Sequence, residues 1–348
     1  MINFIQLFDL IRKTGFTQPL KIKKFHNSAI TYARNFMATY CVCALFNIGF
    51  FDEIAKNKVV KLDVFIEGKD LNKGILSAIC DYLFVLGILN KTDEDYSLGV
   101  VGEYILKYAR GTFDFIYAYA PLFENLDSLL TNKKKYNIDV FRRNKFVAKA
   151  TAEVSQFIPI PVVKDIIKKN NFNTVLDLGC GSAEFLLQLC ENTKLNGYGI
   201  DISEEAVSFA QDLINEKSLG RRVVVKIGDI FDIKELKNIS DNIDVITCMF
   251  VLHEFLPLGK DKVEDLLKKI KQSFPNKHLI VCELSKFQPD FLRKNPTSIA
   301  EHHLFHALSG QGLMTPGEWR NIFRDAGLQL VEEKRYDFAG QAYFVLCL

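Results

Sequence analysis

One stretch constrains the fold of this chain more than any other: TVLDLGCGSAEFLLQL, residues 174–189, where a short apolar run containing Asp177 meets Gly179-Cys180-Gly181 and then an amphipathic segment. Thr174 to Leu178 reads as a buried strand, and Glu184 to Leu189 as the start of a helix. The two glycines let the backbone turn tightly against a ligand. Strand, glycine turn and helix in that order make a nucleotide-type cofactor loop at a strand end of an open α/β sheet. A dinucleotide fingerprint needs a third glycine where this chain has Glu184, so pyrophosphate binding at that helix start is disfavoured. A cofactor without phosphates fits better.

S-adenosylmethionine is such a cofactor. Its ammonium group suits the carboxylate of Asp177, and its ribose diol suits Asp201 at the end of the strand GYGID. Asp201 lies about twenty positions beyond Gly181, the separation at which open α/β sheets set an acidic residue against ribose hydroxyls. A third acidic turn, Gly228-Asp229-Ile230-Phe231, follows the strand VVVKI. There Asp229 can accept from the adenine amino group while Ile230 and Phe231 flank the ring.

In order and spacing, Asp177 to Ala183, Asp201, Asp229 and the later strand DVITCMF resemble the motifs of the class I S-adenosylmethionine-dependent methyltransferases. The resemblance implies an α/β fold with a Rossmann-like sheet. It also implies a cofactor-binding set of Asp177, Gly179, Gly181, Asp201, Ile202, Asp229, Ile230 and Phe250. Strands expected near 174, 197, 223, 244, 278, 329 and 341 alternate with helices, as a doubly wound sheet requires.

The 348 residues allow two domains, and 48% hydrophobic with 25% charged residues describes a globular chain. A net charge of +2 is too small to make nucleic acid or an anionic membrane the main partner. The eight cysteines are scattered, without the spacing of a zinc knuckle, and read as reduced thiols of a cytoplasmic protein. MINFIQLFDLIRK lacks the layout of a cleavable signal. The apolar run Phe36 to Phe51 is interrupted by Asn47 and Gly49 and is too short for a membrane crossing, so it reads as a core or subunit-contact helix.

Residues 1–107 have a helical pattern with a turn at Ile48-Gly49. Within them, GKDLNKGILSAICDYLFVLGILNKTDEDYSLG has the layout of a winged helix. Leu76, Ile79, Leu83 and Leu86 give one apolar helix face, Gly87 stops the helix, and Tyr96-Ser97-Leu98 forms a second short strand. A DNA-reading helix would carry several exposed basic residues, whereas Asn72 to Leu89 offers Lys73 and includes Asp81. The segment, with IGFFDEIA before it, resembles the N-terminal dimerisation domain of plant-type small-molecule methyltransferases. That implies a homodimer. Residues 108–165 form an aromatic-rich connector, which the resemblance makes a wall of the substrate pocket and which simple interdomain packing also explains. Residues 166–348 are expected to be the catalytic domain.

His253, in VLHEF beyond the strand IDVITCMF, falls where ligands collect in this architecture. In plant-type O-methyltransferases a histidine followed by an acidic residue, here Glu254, is the base that deprotonates a hydroxyl. EHHLFH is not needed for that chemistry. Together VLHEF and EHHLFHALSGQGLMTPGEWRNIFRDAGL resemble the α-keto acid C-methyltransferases, including those that methylate 2-ketoarginine and phenylpyruvate. That resemblance implies a divalent or ferric metal ion held by His253, Glu254 and a histidine of the EHHLFH segment. The metal chelates a 2-oxo acid and lowers the acidity barrier at C3. Counting back from TPGEW selects His303, with His302 and His306 as neighbours in register. Other readings stay open: an O-methyltransferase with His253 as base, a binding protein without turnover, and a solvated histidine face. Glu283 and Gln311 can face the pocket but read more simply as structural, as does Trp319; His26 and His278 have no partner motif; and Arg142-Arg143 can meet a substrate carboxylate, although adjacent basic residues usually form a solvated face.

Overall fold

The computed structural model describes residues 4–232 and 241–348, so the first three residues of the leader reading lie outside it. The chain forms two compact units, Met1–Tyr117 and Ala118–Leu348, and the division falls inside the helix Arg110–Glu124. The segment 108–165 is therefore shared between the units.

In the first unit, the apolar run of residues 36–51 is broken where it was expected to turn. The helix Ala29–Asn47 ends at Ile48, Gly49 takes a φ of 75°, and the helix Phe50–Asn57 begins. Val42, Leu45, Phe46, Phe50, Phe51 and Ile54 are buried along this bend. The helix Lys73–Val85 is capped by the Asn72 side chain, which accepts from Ile75 N at 3.0 Å. Its buried face is Leu76, Cys80 and Leu83, with Ile79 and Leu86 only partly covered. Gly87, at φ 72°, ends it with the Ile88 N–H returning to Leu83 O at 3.0 Å.

Three strands follow the order β1-β3-β2: β1 (Val59–Lys61), β2 (Leu89–Thr92) and β3 (Asp95–Leu98), all antiparallel. Asp81 on the helix accepts both Lys91 Nζ and Tyr96 Oη at 2.6 Å. The acidic residue that spoiled a DNA-reading face thus ties the hairpin to the helix.

The second unit is built on seven strands: β4 (Thr174–Leu178), β5 (Asn196–Asp201), β6 (Val223–Ile227), β7 (Val245–Met249), β8 (His278–Leu284), β9 (Gln329–Tyr336) and β10 (Gln341–Cys347). Their order is β6-β5-β4-β7-β8-β10-β9. The first five are parallel, and β10 runs antiparallel between β8 and β9. All seven expected strands are present, in a Rossmann-like α/β sheet. Period-two alternation divides the central strands between two cores, as successive side chains of a strand point to opposite faces. Leu176, Leu178, Ile246, Cys248, Leu279, Val281 and Phe344 enter one core, and Val175, Val245, Ile280, Cys282, Tyr343 and Val345 the other. Burial on both faces explains why these strands read as continuous apolar runs. Among the described residues no single helix is long and apolar enough to cross a membrane.

Candidate active site

All residues of the candidate site belong to the second unit. The sheet brings the carboxyl ends of β6, β5, β4 and β7 side by side, and each carries part of the expected cofactor set. At the end of β4, Asp177 is buried and accepts Thr247 Oγ1 from β7 at 2.7 Å. Burial pushes its carboxyl up to about 7 against that hydrogen bond, with Asp201 adding in the same direction. A buried carboxylate so placed is suited to a cation, which the ammonium of S-adenosylmethionine supplies.

Gly179 and Gly181 have φ of 72° and 53°. A Cβ on Gly179 would lie 2.9 Å from Val251 Cγ2, whereas one on Gly181 would meet nothing within 4 Å. The first glycine is needed for packing and the second leaves open room. The loop is fastened to the next strand: Gly179 N and Cys180 N donate to Ile200 O at 2.9 and 3.0 Å, and Gly181 N donates to Asp201 Oδ2 at 2.8 Å. Asp201 Oδ1 also accepts Ser203 N at 2.9 Å. Each carboxylate oxygen has a second lone pair for a ribose hydroxyl.

Ile202 is largely exposed beside it, and Ile230 is buried. Asp229 folds its turn by accepting Phe231 N at 2.8 Å, and Phe231 packs edge-on against Phe255. Phe250, at φ 58°, follows β7 and donates its N–H to Cys282 O at 2.8 Å. The donor set and the open glycine cradle fit S-adenosylmethionine.

His253 sits on the short 3-10 turn Leu252–Leu258 just past β7 and is buried. Its Nδ1 lies 2.7 Å from Glu283 Oε2 at the end of β8, while Glu283 Oε1 accepts Leu252 N at 2.8 Å. Glu283, read as structural from sequence, is fully buried and orients the imidazole. Burial works to lower the His253 pKa, but the Glu283 carboxylate outweighs it and the net direction is upward. The partner on the other side is His306. The two rings stand 4.8 Å apart at 59°, and His306 Nδ1 is 2.7 Å from His302 O. A carbonyl only accepts, so His306 carries its proton on Nδ1 and turns a lone pair out on Nε2. Burial, with His253 nearby, holds its pKa down to about 3.

His303 was the expected choice, with His302 and His306 left open. The Nε2 of His303 is 3.1 Å from Ser285 O and its ring stacks toward Phe287, so the helix Ile299–Leu308 presents His306 to His253 instead. His302 is half-buried beside His303, and removal from solvent is the first cause that lowers its pKa to about 4. Glu254 Oε1 is 3.9 Å from His253 Nε2 but is held at 3.0 Å by Arg142 Nη2. Burial raises the Glu254 pKa, yet Arg142 and His253 carry it below the usual value. Among the described residues no three histidine, cysteine or acidic side chains gather at metal-ligand spacing. The pair His253 and His306 remains.

Arg142 is the functional candidate that sequence reasoning set aside. Its side chain is 14% exposed, not solvated, and it donates to Tyr119 Oη at 3.0 Å. Tyr119 in turn stacks on Phe305 of the histidine helix at 4.5 Å. Trp319 is core, as expected.

With this geometry in hand, comparison with known proteins defines the class. Residues 169–327 match the family model described as a methyltransferase domain. That stretch is a methyltransferase domain with the class I S-adenosylmethionine-dependent fold. The chain is similar to methyltransferase ungE' of Aspergillus campestris, at 22% identity over 85% of this chain and 90% of the relative. It is likewise similar to indolepyruvate C-methyltransferase of Streptomyces griseus (22%, covering 85% and 88%) and 2-ketoarginine methyltransferase of Streptomyces arginensis (23%, covering 89% and 90%). Among solved structures, human N-acetylserotonin methyltransferase in complex with S-adenosylmethionine shares the fold. Its TM-score is 0.65 at 17% identity, covering 92% of this chain and 97% of that one.

Proposed function

We propose that this methyltransferase places a methyl group on C3 of a 2-oxo acid, at a site where His253 and His306 together hold a divalent or ferric metal ion. The observation that carries the reading is the meeting of two buried imidazoles whose Nδ1 atoms are both engaged. Each ring thereby keeps its Nε2 for a ligand, whereas a hydroxyl-deprotonating base needs only one such atom. The names of two relatives, which act on indolepyruvate and 2-ketoarginine, point to the same substrate class.

S-adenosylmethionine supplies an electrophilic methyl group, and a metal ion would supply Lewis acidity to the keto oxygen. The chain's own residues bind and orient. Asp177 balances the ammonium, Asp201 takes the ribose, and Glu283 holds the His253 ring so that Nε2 faces the acceptor. His306, neutral at physiological pH because burial disfavours its cation, keeps its lone pair available. Glu254 is paired with Arg142 and is left out of the metal set.

A panel of 2-oxo acids and phenols with isotopically labelled cofactor tests the reaction by locating the new methyl group. Methylation at C3 is expected, and methylation confined to oxygen overturns the reading in favour of an O-methyltransferase with His253 as base. That second reading has its own support in the Glu283-raised His253 pKa. Elemental analysis separates the histidines: bound metal is expected in the wild type and His303→Ala and lost in His306→Ala.

We also infer a cytoplasmic homodimer, formed through the first unit as a winged-helix dimerisation domain. Its supporting feature is a set of exposed apolar side chains, Ile5 and Phe8 on the helix Phe4–Thr14, Leu20 on the helix Thr17–Asn27 and Phe16 at the turn between them.

A further inference from the structure

Arg142 has more donors than the protein uses. A guanidinium carries five N–H groups in a fixed fork. Nε donates to Asn144 Oδ1 at 3.1 Å, Nη1 to Tyr119 Oη at 3.0 Å and Nη2 to Glu254 Oε1 at 3.0 Å. One N–H on each terminal nitrogen has no acceptor among these contacts. Glu254 meets the fork through one oxygen, not as a two-point pair, and its side chain is 39% exposed while that of Arg142 is 14%. The same Oε1 is 3.9 Å from His253 Nε2, so guanidinium and imidazole are separated by the width of one carboxylate. Gln311 also lies against Glu254, where its side chain favours the charged carboxylate.

We propose that Arg142 is the residue that recognises the acceptor's carboxylate, and that Glu254 is an internal placeholder which occupies the guanidinium until the acceptor displaces it. A planar carboxylate matches the fork in two parallel bonds, which the single Glu254 contact does not satisfy. Exchange of one carboxylate for another keeps the buried cation paired throughout, avoiding an isolated charge. The arriving acid is thereby held with its carbon chain against His253. Neutral molecules of the same shape gain nothing from the exchange, so the pair selects for acids.

This inference rests on the 2-oxo acid reading above, and its test keeps the two apart. Calorimetric titration would compare a 2-oxo acid with its uncharged amide on wild type, Arg142→Gln, Arg142→Lys and Glu254→Gln, each loaded with S-adenosylhomocysteine. Arg142→Gln should lose about ten- to a hundredfold in affinity for the acid, the range for hydrogen bonds to a charged group, and little for the amide. Arg142→Lys should recover part of that loss. Glu254→Gln should bind the acid more tightly, by up to about fivefold, the strength of a partly exposed ion pair. A merely structural ion pair would weaken acid and amide alike in both variants, and that result overturns the proposal. So does an acid preference that survives in Arg142→Gln. Should wild type itself show no preference for the acid, the 2-oxo acid reading falls and the inference with it.

Discussion

At the scale of single residues, Asp177 is the group whose ionisation answers most directly to the cofactor. Its folded pKa, raised to about 7 from an ordinary 3.8, means that the folded chain holds a proton which the unfolded chain has released across that window. The ligand-free protein therefore loses stability as pH rises from about 4 to 7. An ammonium group at Asp177 reverses the trend locally by favouring the charged carboxylate. Cofactor binding is then expected to tighten as pH rises through 7, with proton release visible when calorimetry is repeated in buffers of different ionisation enthalpy. Asp177→Asn should abolish that release.

Asp201→Ala should weaken the cofactor by about ten- to a hundredfold, or about 1.5–3 kcal/mol, measured by direct titration. Glu283→Gln should bring the His253 pKa below its wild-type value, read by NMR titration of the ring. In the wild type, the raised His253 pKa contributes stability that is present below about 6.5 and lost as pH climbs through the folded value. The placement of Asp177 and Asp201 at strand ends was legible in the sequence because acidic residues there have fixed spacing. Glu283 and Arg142 were not, since a carboxylate inside a strand and one of two adjacent arginines carry no periodic signal. Burial and partner distance alone distinguish them.

Among elements, the glycine loop and the histidine helix differ in how far pattern reveals geometry. The loop follows from residue type, because left-handed φ at two positions calls for glycine. Gly179→Ala adds both that strain and a 2.9 Å approach to Val251, and should cost about 1–3 kcal/mol of stability in a denaturant melt. Gly181→Ala meets open space and should instead show mainly as lost cofactor affinity. The helix Ile299–Leu308 offers three histidines, and three or four residues of separation cannot say which one turns inward without knowing its rotation. Contacts at Phe305 with Tyr119 and Phe123, and at His303 with Ser285, set that rotation and turn His306 to the site. Counting residues from a distant turn had no access to those contacts.

For the molecule as a whole, the seven-stranded sheet was the most legible part, since long apolar runs alternating with helices leave few arrangements open. The apolar pattern of the first unit proved to be centred on Leu76, Cys80 and Leu83, a face shifted from the one that spacing suggested. Sedimentation at increasing concentration is expected to reveal a dimer, and Phe8→Glu with Leu20→Glu should shift it toward monomer.

The fastening of the cofactor loop to β5 has a consequence in time. Three successive amides, Gly179, Cys180 and Gly181, are committed to Ile200 O and Asp201 Oδ2 within the protein itself. Their hydrogens should therefore exchange with deuterated solvent as slowly as those of the central strands, even in the ligand-free enzyme. A cradle fastened by its own neighbouring strand lets spent cofactor leave and fresh cofactor enter without refolding the loop on each turnover.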